Sequence, residues 1–123
     1  MSTQSPAPPD AADPKQAAYD ALNDLLAQST AAANNKDNTK QARDAAFSLR
    51  TATAAQLDAL DQAKFTGNTV DLQAAEEAMS PGMKQLQELQ TQIEALGNEL
   101  KEATSILTGI DKVIAELGGL GLV

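Results

Sequence analysis

Between Leu86 and Leu117 the apolar residues recur at alternating four- and three-residue steps: Leu89, Ile93, Leu96, Leu100, Ala103, Leu107, Ile110, Ile114 and Leu117. Such a seam keeps one stripe of a helix apolar and is incompatible with the two-residue alternation of a half-buried strand. Composition points the same way. The apolar residues, 42 % of the 123, are mostly Ala and Leu, whereas strand formers are scarce: three Val, four Ile, two Phe, one Tyr and no Trp. The chain reads as all-α and as one domain's worth of sequence.

Breakers and caps divide it. Residues 1–13 hold Pro6, Pro8 and Pro9 among Ser, Thr and Ala, with too little apolar surface to offset the entropy of ordering, and read as a disordered tail. Residues 14–123 read as a helical bundle. Asp13 and Pro14 supply a cap and a first helical position for a helix reaching Ala33. The run Asn34 to Asn38 reads as a polar turn, after which Asn38 or Thr39 caps a second helix ending near Phe65, with Gly67 as its stop. Its inward positions are largely Ala, which favours close approach of a neighbour. Thr69 to Met79 reads as a possible short fourth helix, broken from the next by Ser80 and Pro81. A long C-terminal helix then runs from Pro81 to Leu117, with Gly118 in the left-handed closing position and Gly97 or Gly109 as places where it could bend. The expected architecture is an antiparallel three-helix bundle with one long C-terminal helix.

Several chemistries are excluded by residue type. Without Cys there are no disulfides, thiolate metal sites or thiol nucleophiles, and without His the usual general base and commonest metal ligand are missing. Glu88, Glu94, Glu99, Glu102, Asp111 and Glu116 read as a solvated helix face, since acid–base catalysis requires burial or a close partner to split pKa values. The expectation is therefore no catalytic residue, no metal and no cofactor. A net charge of -8 repels phosphate backbones, so nucleic acid is not an expected partner. No secretory leader and no spanning run of apolar residues is apparent, so the expected address is cytoplasmic, with leaderless export as the other route.

Two surfaces remain. Lys36, Lys40, Arg43 and Arg50, with Phe47 between them, form a stripe in the only third of the sequence that is not net negative, and would suit an acidic protein or an anionic lipid. The stronger signal is the last helix. At about 1.5 Å per residue the three helices would span about 30, 40 and 55 Å, so the C-terminal one overshoots its neighbours. The overshooting stretch carries Ile106, Leu107, Ile110, Val113, Ile114 and Leu117, the expected docking residues for a protein partner or for a second copy in a homo-oligomer. The function expected on this reading is a non-enzymatic protein-interaction module of adaptor, chaperone-like or immunity type. The alternative is a peripheral or exported helical protein whose last helix enters a lipid interface.

Overall fold

A computed structural model describes residues 15–63 and 69–120. These form four α-helices and no strand: α1 (Gln16–Ala33), α2 (Lys40–Gln62), α3 (Thr69–Leu96) and α4 (Ala103–Gly119), with a single 3-10 turn at Gly97–Glu99 between the last two. The expected tail at 1–13, the Asp13–Pro14 cap and the stop at Phe65–Gly67 lie outside the described residues. Each helix packs on the next, and α4 closes back onto α1. Cross-links fix the directions. Lys15 at the start of α1 reaches the end of α2, Gln56 of α2 meets Met79 early in α3, Gln90 of α3 meets Asp111 of α4, and Gln28 of α1 lies against Gly109 of α4. Neighbours are therefore antiparallel around a ring of four helices, not three.

The helix ends follow local chemistry. Thr39, in extended conformation, caps α2 by accepting the Ala42 N–H at 3.1 Å. At the other end α2 stops at Gln62, earlier than the sequence suggested, because Ala63 turns extended. The Lys15 ammonium donates to the carbonyls of Leu60 (3.3 Å), which also accepts the Ala63 N–H, and of Ala63 (3.2 Å), placing a cation at the negative end of that helix.

The expected break at Pro81 does not occur. α3 runs through it, because Pro81 and Glu77, whose carbonyl loses its helical donor, both lie on the exposed side where water can serve that oxygen. Inward positions continue in register across the proline as Ala75, Met79, Met83, Leu86, Leu89, Ile93 and Leu96. Gly82, the next residue, leaves room for the buried Gln56 side chain, which crosses from α2 and donates to the Met79 carbonyl at 3.2 Å.

The long C-terminal helix breaks instead at Gly97. This glycine has φ +56°, alone in positive φ among the described residues, and Leu100 is extended, so the chain reverses and α4 returns along α3. Gly118 and Gly119, in contrast, remain helical, and Gly109 does not bend α4 but admits Leu25 and Gln28 of α1. Reversal also changes the inward face. The single seam becomes two frames, with Ile106, Ile110, Val113 and Leu117 pointing inward in α4 while Ala103, Leu107 and Ile114 lie on its flank. The overshoot disappears with it.

Leu22, Leu25, Leu49, Leu60, Leu86, Ile93, Ile106, Ile110 and Leu117 are among the fully buried side chains, each contributing about 1.5 to 3 kcal/mol. Between α1 and α2 much of the interface is Ala18, Ala21, Ala32, Ala42, Ala46 and Ala52, and this pair packs most closely. α3 and α4 are the least closely packed neighbours.

Two substitutions test this account. Gly97→Ala meets no atom, so its cost is the left-handed backbone alone: about 1 to 2 kcal/mol in urea denaturation, with helix content by circular dichroism unchanged. Gly82→Ala should cost about 1 to 3 kcal/mol through its collision with Gln56, and measurably less in a Gln56→Ala background.

Candidate functional site

The polar groups of the molecule converge at the end of the bundle where the α1–α2 and α3–α4 connections meet. Asn38 is buried at 3 % exposure, and a buried amide must find partners or forfeit the free energy of its lost hydration. It finds three. Its Nδ2 donates to the Ala32 carbonyl (3.0 Å) and to Glu102 Oε1 (2.9 Å), while its Oδ1 accepts the Lys101 N–H at 2.8 Å. Asn35 Nδ2 donates to the other carboxylate oxygen, Glu102 Oε2, at 2.8 Å, and its Oδ1 accepts the Asp37 N–H at 3.0 Å. Beside them, Thr39 Oγ1 donates to Glu99 Oε1 at 3.1 Å. Two connections distant in sequence are thereby clasped through one carboxylate.

The electrostatics follow from this geometry. Partial burial works to raise the pKa of Glu102, but the amides of Asn38 and Asn35 and its own backbone N–H stabilise the anion more, and the net displacement is downward from 4.5. That is the direction of a structural anion. A general acid working near neutral pH needs the opposite displacement. Glu99 and Glu102, which the sequence places on a solvated face, thus include one clasped group; Asn35 reads only as a turn residue and Asn38 as a candidate cap, whereas Thr39 takes the cap and both asparagines bind the Glu102 carboxylate. The signal was Gly97–Asn98, a pair typical of helix stops, followed within ten residues by the second apolar frame beginning at Ile106.

The structure divides the six expected docking residues. Ile106, Ile110, Val113 and Leu117 are fully buried in the core, so a docking face made of all six is not formed; the reversal at Gly97 lets the chain cover its own apolar stretch. Leu107 and Ile114, two helical turns apart on one flank of α4, are only partly buried. Leu107 borders a cleft of about 370 Å³ between α3 and α4, with Ile93, Glu94, Gly97, Leu100 and Ala103. Farther along the same seam Gln90 Nε2 donates to Asp111 Oδ1 at 2.6 Å.

The basic stripe is held together more loosely. Lys36 and Lys40 are exposed, and Lys40 pairs with Asp44 of its own helix at 2.9 Å, a contact worth little in water. Arg43 is half-buried with its Nε lacking a hydrogen-bond partner, and Arg50 is exposed with its guanidinium 6.0 Å from the Phe47 ring centre. Phe47 is 57 % exposed.

Among the described residues no group of three or more Asp or Glu is placed to hold a metal ion, and no helix is long and apolar enough to cross a membrane. Compared with family models, curated proteins and solved structures, the chain matches none of them.

The clasp has a pH signature. Because the folded-state pKa of Glu102 is lowered, its contribution to stability is fully present above about pH 4.5 and is lost as pH falls through the lowered value. Glu102→Gln should reduce stability at pH 7 by about 1 to 3 kcal/mol and flatten that acid-side decline, as read from urea midpoints between neutral and acid pH.

Proposed function

We infer that this protein is a non-enzymatic protein-interaction module that receives an amphipathic helix of a partner along the seam between α3 and α4. The observation that carries the reading is the loose packing of that one pair, which leaves Leu107 and Ile114 partly uncovered along α4, with Leu107 at the edge of a cleft where Ile93, Leu100 and Ala103 lie among the polar Glu94, Asn98, Lys101 and Thr104. A helix laid along such a groove buries residues at three- and four-residue spacing and gains roughly 25 cal/mol per Å² of apolar surface removed from water. Glu94 and Lys101 at the cleft margin supply charges that orient the incoming helix.

This reading uses two of the six apolar residues of the last helix as contacts and leaves the other four to hold the bundle. Entry of α4 into a lipid interface would require those four to leave the core, so the seam favours a protein over a membrane. The rigid support beneath it is the Glu102 clasp, which fixes where α4 starts relative to α1 and α2.

Affinity capture with the full chain tests the proposal. Leu107→Asp with Ile114→Asp should abolish capture of the partner seen with the wild type while helix content is retained, whereas Ile110→Asp, which buries an unpaired charge, should cost on the order of 4 kcal/mol and unfold the bundle. Undiminished capture by the Leu107/Ile114 double variant would show that the seam is not the docking surface.

A further inference from the structure

A second surface lies on α2, and its two halves complement each other. Arg43, Phe47 and Arg50, at four- and three-residue spacing, share one flank of the helix. The ring of Phe47 is 57 % exposed and the Arg50 guanidinium stands 6.0 Å from its centre, while Arg43 is half-buried with its Nε below the surface. An exposed aromatic ring between two arginines is the composition found at the energetic centres of protein interfaces. On the other flank of the same helix, toward α3, runs an open groove of about 400 Å³. Ala45, Ser48, Ala95 and Leu96 line it with small or apolar side chains, and the carboxylates of Asp44 and Glu99 stand at its rim.

We propose that Phe47 of one copy of this chain seats in the α2–α3 groove of a second copy, with Arg43 and Arg50 meeting the partner copy's acidic rim. Shape and charge both select this occupant. Ala45, Ser48 and Ala95 leave room for a phenyl ring between the longer Gln41, Gln92 and Leu96, and the rim is negative where the flanks of the ring are positive. Knob and groove straddle the outward face of one helix. A two-fold axis running along α2 would bring the two α2 helices together in parallel and set each Phe47 opposite the other copy's groove, closing the assembly as a dimer. The exposed Lys40–Asp44 pair within α2 is weak enough to open when Asp44 gains an arginine from across the interface. This surface is separate from the α3–α4 seam, so either can fail without the other.

The test is the mass of the full chain by sedimentation equilibrium, over roughly 10 µM to 1 mM, the range of modest interfaces. The wild type should pass from monomer to dimer, and less readily as salt is raised. Phe47→Ala should weaken the dimer at least tenfold; Phe47→Glu, which removes the knob, and Ala95→Trp, which fills the groove, should each be monomeric. Arg50→Glu serves as an independent disruption should Phe47→Glu lose helix content. Mixing Phe47→Glu with Ala95→Trp should restore a heterodimer, because one intact ring then meets one intact groove. A wild type that stays monomeric throughout, a dimer indifferent to these substitutions, or a mixture that remains monomeric would overturn the proposal.

Discussion

Everything in this bundle depends on how the chain reverses after Leu96. A left-handed residue is needed there, and Gly97 supplies it without the steric penalty a side chain would bring. A turn alone does not aim the helix that follows. The aim comes from Glu102, whose two carboxylate oxygens are taken by amides of Asn35 and Asn38 in the other connection, so the start of α4 is tied to the end of α1. Charge-assisted hydrogen bonds at partial burial are strong enough for that purpose, and Asn38 reinforces them by holding the backbone on both sides, at Ala32 and Lys101. Once α4 is directed this way, its most apolar face has only one place to go, between α1 and α3.

The distribution of side-chain size then decides where the molecule is tight and where it is open. Alanines on both α1 and α2 let those helices come close, and the pair is pinned at its far end by Lys15 on the carbonyls of Leu60 and Ala63. α4 is the shortest of the four helices, and its strongest packing is against α1, where Gly109 allows Leu25 and Gln28 to approach. What is gained on that side is lost on the other. The α3–α4 seam is left wide, bridged at Gln90 and Asp111, and it is there that Leu107 and Ile114 keep part of their apolar surface uncovered. On α2 the same use of small residues leaves a groove facing outward, opposite an aromatic ring that the core never needed.

Much of this was legible in residue patterns. The Ala- and Leu-rich composition, the seam, the polar turn and the cap at Thr39 follow from backbone entropy, helix period and unpaired termini, all of them local effects that a sequence displays directly. The basic stripe around Phe47 was visible as spacing too. The path through Pro81 differs from the sequence reading because the cost of an interior proline is smaller where water can serve the orphaned carbonyl, and exposure depends on which way the helix faces its neighbours. The division of the last helix was misread because two apolar frames, Leu100–Leu107–Ile114 and Ile106–Ile110–Val113–Leu117, overlap, and spacing alone does not rank them.

By itself, then, the sequence determined that the chain is helical, roughly where the first three helices begin, and which residues are apolar enough to need covering. Only the tertiary structure decided that the cover comes from the same chain. The choice rests on long-range partners, Asn35 and Asn38 for Glu102 and Gln56 for Gly82, separated by 67, 64 and 26 positions respectively, and no local periodicity encodes which of two frames such partners will select.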